Sequence, residues 1–177
     1  MSPFLIFSII SKKTEMTNRI SFLIQKLGLK EHPEGGYYSE TYRALETKEF
    51  SMGHRSLMTS IYFLMTSDKV SHFHRIKSDE LWFYHEGSPL TIHLLEENGY
   101  SNLKVGTQLN QGQNPFQMVR SHAIFGSTVD EADSYSLVSC VVAPGFDFED
   151  FELLKEAELL ARWPEQSEII KKLTVPD

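Results

Sequence analysis

The chain has 177 residues, 41% hydrophobic and 23% charged, with a formal charge of -7, values that fit one soluble globular domain with a real core. Its charges are dispersed, which argues against nucleic acid, and its apolar amino-terminal run, Pro3 to Ile10, is too short to span a bilayer. A single cysteine, Cys140, rules out an internal disulfide and fits a reducing, cytoplasmic setting; within the apolar run Leu137 to Val142 it reads as an inert buried thiol.

Residues 1–16 read as a flexible extension and 17–177 as a single domain. Thr17 or Asn18 can cap a short helix whose apolar face is Ile20, Leu23, Ile24 and Leu27, ended by Gly28. After Gly35-Gly36 the pattern turns to strands: Tyr37 to Tyr42, then Ser56 to Met65 with Leu57, Thr59, Ile61 and Phe63 on one face. His72 to His74, Leu81 to Tyr84 and Leu90 to Leu95 continue the series, and Asn98-Gly99 is a hairpin turn. Phe116 to Val119, Ala123 to Phe125 and Tyr135 to Ala143 complete it. Pro144-Gly145 breaks the strands; helices are expected over Phe151 to Arg162 and from Pro164 through Leu173. Many short strands flanked by terminal helices indicate a barrel or sandwich.

His72-Phe73-His74 carries the strongest chemical signal. Alternate residues of a strand share a face, so both imidazoles project together, and Glu80 on the next strand can meet them. Three such donors suit one divalent metal, Zn, Fe, Mn or Ni, with His122 as a fourth ligand. Without metal, His74 and Glu80 form an acid–base pair in a polar pocket. Trp82 and Tyr84 share the parity of Glu80 and are expected on the same wall, Tyr84 as a third catalytic group and Trp82 as ligand lining. His93 is expected in the pocket. Glu40 and Arg43 form either a solvated salt bridge or, with Arg120, an anchor for an anionic ligand. Gly35-Gly36 reads as turn geometry, since a strand follows where a phosphate loop wants a helix.

The His-x-His pair, the later Glu80 and Gly87 resemble the first motif of the cupin superfamily, with Thr66 in place of its leading Gly. Three longer blocks resemble the cupin_5 (DUF985) family: His32 to Arg43, His74 to Trp82 and Val142 to Phe151. That resemblance implies a mainly β fold, a double-stranded β-helix (jelly-roll) barrel with a short amino-terminal helix and carboxy-terminal helices. It also implies a homo-oligomer, commonly a homodimer, but no agreed reaction. The second cupin motif should fall on Val119 to Gly126, where the ligand-His position is Phe125.

Two functions follow as expectations. In one, the barrel binds a small polar or anionic metabolite and acts as a metal-assisted or acid–base isomerase, epimerase or lyase. In the other, it is a non-catalytic binding or sensing module with a degraded metal site.

Overall fold

The computed structural model of the chain describes residues 3–175, with side chains from residue 14 onward. Two six-stranded sheets form its body. The first runs, in spatial order, β1 (Lys30–Glu31), β2 (Tyr37–Arg43), β5 (Thr59–Thr66), β13 (Tyr135–Ala143), β7 (Asp79–Gly87) and β11 (Phe116–Val119). The second runs β10 (Gln113–Asn114), β9 (Gly99–Val105), β8 (Leu90–Glu96), β12 (Ile124–Val129), β6 (Ser71–Arg75) and β14 (Glu152–Leu153). A separate hairpin joins β3 (Thr47–Phe50) to β4 (Gly53–Ser56). The sheets face each other as a jelly roll and do not close into one ring of hydrogen bonds, so the barrel expected from the sequence is open at its edges.

Strand alternation sorts the side chains into layers. Leu90, Ile92 and Leu94 of β8 and Val138 and Cys140 of β13 point between the sheets, where they meet Phe63, Trp82 and Phe125. Burying each large apolar side chain here is worth about 1.5–3 kcal/mol. The opposite parity faces outward. Leu64, Tyr135 and Leu137 pack under α1 (Pro3–Leu27), against Ile20, Leu23 and Ile24. Phe73, Leu95 and Ile124 pack under α2 (Glu156–Arg162) and α3 (Ser167–Lys172), through Leu159, Trp163 and Ile170.

Several boundaries differ from expectation. The first helix does not open at Thr17 or Asn18; both lie inside α1, which carries Met16 onto the outer face of the first sheet. The helix runs unbroken from Pro3 to Leu27; residues 1, 2, 176 and 177 lie outside the described residues. Leu57, expected on one strand face with Thr59, Ile61 and Phe63, is exposed and precedes β5. The helix expected from Phe151 begins at Glu156, because Glu152–Leu153 is drawn into the second sheet beside β6. The Asn98-Gly99 turn does join β8 to β9, with Glu96 opposite Gly99.

A candidate acid–base cavity between the sheets

The β1–β2 connection brings the first functional groups inward. Gly35 and Gly36 take positive φ, +112° and +70°, and are pressed so closely onto neighbouring strands that a Cβ on Gly35 would sit 2.0 Å from the Val70 carbonyl oxygen. The turn closes through His32 N–H to the Gly36 carbonyl (3.1 Å) and Gly35 N–H to the His32 carbonyl (2.9 Å). It is tied to β6 because the Glu34 carbonyl accepts the His72 N–H at 2.7 Å. These contacts drive the Glu34 side chain into the molecule, where it is only 8% exposed.

Three groups surround the Glu34 carboxyl. Its Oε1 accepts the Ser71 hydroxyl at 2.9 Å. Its Oε2 lies 3.2 Å from His74 Nε2 and 3.4 Å from His32 Nδ1. His74 Nδ1 is 2.7 Å from the His72 carbonyl, so that nitrogen carries the hydrogen and Nε2 a lone pair. His32 Nδ1 accepts the Glu34 backbone N–H at 3.3 Å, so it also offers a lone pair. An ionised carboxylate between two such nitrogens would face repulsion on both sides. A proton on Oε2 neutralises the carboxylate and can be donated to His74 Nε2, the nearer of the two nitrogens.

Burial reinforces that arrangement. It lowers His74 to about 4, keeping the imidazole neutral, and lowers His32 in the same sense. It raises Glu34 above the ordinary carboxylate range. Glu80, 8% exposed on β7, is pushed up to about 8, chiefly by burial. Its carboxyl meets the Cys140 thiol, which burial holds protonated well above its ordinary value. Around neutral pH Glu80 is therefore largely a carboxylic acid beside a neutral His74 imidazole, and burial favours the protonated form of Glu34 in the same sense.

These groups line a cavity of about 410 Å³. Its wall includes Thr59, Ile61 and Phe63 on one face of β5, and its mouth includes Lys30, Glu40, Arg43 and Phe148. His32 is ringed by aromatics, edge-on to Tyr38 at 4.6 Å and stacked with Phe148 at 6.0 Å. The segment carrying Phe146 and Phe148 is tethered: Phe146 N–H donates to Thr59 Oγ1 at 2.9 Å, and Asp150 accepts from Arg55 at 2.8 and 3.1 Å.

His74 and Glu80 line this cavity together, but the carboxyl against the His74 imidazole is that of Glu34. Glu34 and His32 lie inside the block His32 to Arg43, in which the sequence singles out the glycines, Glu40 and Arg43 as individual residues; the signal that could have found them is a His-x-Glu pair entering a tight turn. Glu40 and Arg43 lie at the mouth, held to each other at 2.7 and 3.1 Å, and Arg43 Nη1 also donates to the Phe146 carbonyl at 3.2 Å.

The other expected residues are elsewhere. His72 braces the turn through Nδ1, 2.7 Å from the Glu34 carbonyl. Trp82 keeps the inward parity of Glu80 but falls in the apolar core, ring to ring with Phe63 at 5.9 Å, its Nε1 without a partner. Tyr84 packs on that core and donates its hydroxyl hydrogen to the Gly87 carbonyl. His93 is on the outer face of β8, between Tyr100 and Thr128 at 2.7 and 2.9 Å, because Ile92 and Leu94 take the inward positions. Arg120 is exposed and pairs with Asp79. His122 is exposed in a turn with φ 64°.

The expected metal donors do not fit as a set. His72 is engaged by a carbonyl, His122 faces outward, and Phe125, opposite His74 in register, lays its ring 4.2 Å from that imidazole. Among the described residues, no group of three or more His, Cys, Asp and Glu side chains is arranged to hold a metal ion.

Comparison with known proteins gives consistent relatives. The family described as Cupin superfamily (DUF985) matches residues 21–154. The uncharacterized protein YML079W of Saccharomyces cerevisiae is 30% identical over 157 residues, 80% of this chain and 78% of that protein. Among solved structures, protein SO0799 of Shewanella oneidensis aligns with a TM-score of 0.82 at 40% identity, covering 88% of this chain and 96% of that one. A hypothetical protein from Leishmania major gives 0.81 at 40% identity, with 87% and 97% covered. A mutant of Bacillus subtilis oxalate decarboxylase shares the fold alone, at 0.53 and 14% identity over 83% of this chain and 37% of that one.

Proposed function

The chain belongs to the DUF985 family of the cupin superfamily, and from that premise we propose that it catalyses proton transfer on a small polar or anionic metabolite held in the cavity. Isomerisation, epimerisation and lyase-type elimination all begin with a proton taken from carbon while negative charge builds on an oxygen that a nearby acid can relieve. The observation that carries the reading is the Glu34 Oε2 between two lone-pair nitrogens, at 3.2 and 3.4 Å. The proton that His74 takes from carbon is matched by the one that Glu80 gives to the ligand oxygen, so the cavity's net charge is unchanged by the transfer. His74, neutral because burial lowers it to about 4, is the accepting base; Glu80, raised to about 8, is the acid toward a ligand oxygen.

Solvent exchange tests it. Short oxo-acids and sugar phosphates are incubated with the protein in deuterium oxide, and carbon-bound deuterium is measured by mass spectrometry. Exchange is expected with the wild type and should fall about a hundredfold or more in Glu34→Gln and His74→Ala. Exchange at an undiminished rate in Glu34→Gln would contradict the proposal. A second reading, a non-catalytic binding module, draws support from Phe125 standing at the expected ligand-His position. It predicts a raised melting temperature with one of these compounds and no exchange.

Self-association into a homodimer is part of the proposal. Edge strand β11 has one open side, and its Phe116 forms an exposed ring pair with Phe83 at 5.2 Å. Sedimentation as a monomer at micromolar concentration would remove that element. Among the described residues no helix is long and apolar enough to cross a membrane.

A further inference from the structure

We infer that the cavity takes a flat monoanion whose uncharged oxygen enters first, and that Lys30 holds its anionic end at the mouth. This deepens the ligand reading above and rests on it.

Charge at the mouth is unevenly committed. Arg43 is clasped by both carboxylate oxygens of Glu40, at 2.7 and 3.1 Å, and feels Asp147 as a second negative group. Lys30 is exposed, and among the described residues it has no ion-pair partner. Its Nζ rests 5.0 Å over the Tyr38 ring, itself part of the cavity wall. Lys30 is therefore the cation whose charge is left to a ligand.

The interior sets the ligand's direction. Beyond the mouth, the cavity ends in Glu34, Glu80 and the Cys140 thiol, with no Lys or Arg among the groups lining that end. An anionic group driven inward would lose its water beside two carboxyl groups and gain no cation. A hydroxyl or carbonyl oxygen needs only a hydrogen bond, which the Glu80 acid can donate. Between the two ends, His32, Tyr38 and Phe148 present ring faces and edges that suit a flat body. A volume of about 410 Å³ suits a single-ring compound.

Para-hydroxybenzoate and its uncharged counterpart para-hydroxybenzamide are the probes, with binding measured by calorimetry on the full chain. The acid should bind the wild type about two- to fivefold more tightly than the amide, the worth of one exposed ion pair. That preference should vanish in Lys30→Met and survive in Arg43→Met, and both compounds should weaken in Glu80→Leu. Equal binding of acid and amide by the wild type would overturn the inference. So would a preference kept in Lys30→Met or lost only in Arg43→Met. Binding of neither compound would overturn the ligand class, leaving the acid–base reading to stand or fall on the deuterium experiment.

Discussion

The space between the sheets has two halves built by the same alternation of strands, and they are filled in opposite ways. One half is apolar and closely packed: Trp82, Ile92, Leu94, Val105 and Val138 are each 6% exposed or less. In the other half, inward positions of β6 and β7 carry His74 and Glu80, and the β1–β2 turn adds Glu34, all buried around a cavity. β7 crosses between them, with Glu80 in the cavity and Trp82, two residues on, in the core. Burying carboxyl groups costs stability that an apolar filling would not. That contrast marks the polar half as the part of the fold given to function.

The comparison can be broken from the apolar side first. Trp82→Ala should cost about 3–5 kcal/mol, read from urea unfolding, because its ring fills the centre of the core. An effect under about 1 kcal/mol would show that this half is not the stabilising one. Next comes the turn that aims Glu34. Gly35→Ala should cost about 1–3 kcal/mol, since φ is +112° and the new Cβ would meet the Val70 carbonyl oxygen at 2.0 Å. It should abolish deuterium exchange as well, through loss of the Glu34 position.

The polar half is sharpened by pH. Between its ordinary value of 4.5 and about 8, Glu80 keeps a proton when folded and loses it when unfolded, so its contribution to stability falls as pH rises through that window. His74 acts in the opposite sense between about 4 and its ordinary 6.5, where only the unfolded state is protonated. Above 6.5 the carboxyl effect stands unopposed by His74. Urea midpoints of the wild type should decline from pH 6.5 to 8, and Glu80→Gln should flatten that decline. An unchanged slope in the variant would count against a buried acid at this position. Smallest of all is Lys30→Met, expected within about 0.5 kcal/mol of the wild type while altering only ligand preference.

Much of this was readable from residues. The strand series, the inward face of Thr59, Ile61 and Phe63, and the placing of His74 and Glu80 on one cavity all follow a period of two. What failed did so for identifiable reasons. His93 shares its face with Thr91 and Leu95, and the expected pocket position fails because Leu90, Ile92 and Leu94 claim the inward side of β8. Trp82 and Tyr84 share the parity of Glu80, but parity fixes the face and not the distance along the strand. The acids before Phe151 suggested a helix start, yet Leu153 pairs opposite His74 and that stretch becomes an edge strand. Glu34 is the instructive miss: it reaches His74 across 40 residues because a two-glycine turn is pressed onto β5 and β6, a tertiary contact that local periodicity does not encode.

The central claim is that Glu34 holds a proton toward a neutral His74. Nitrogen NMR of the His74 imidazole at neutral pH tests it most directly, compared between the wild type and Glu34→Gln. The account predicts one protonated nitrogen, Nδ1, and a lone pair on Nε2 whose signal shifts when the carboxyl becomes an amide. Two protonated nitrogens at pH 7 would contradict it, placing a charged imidazolium where the structure leaves only a neutral ring.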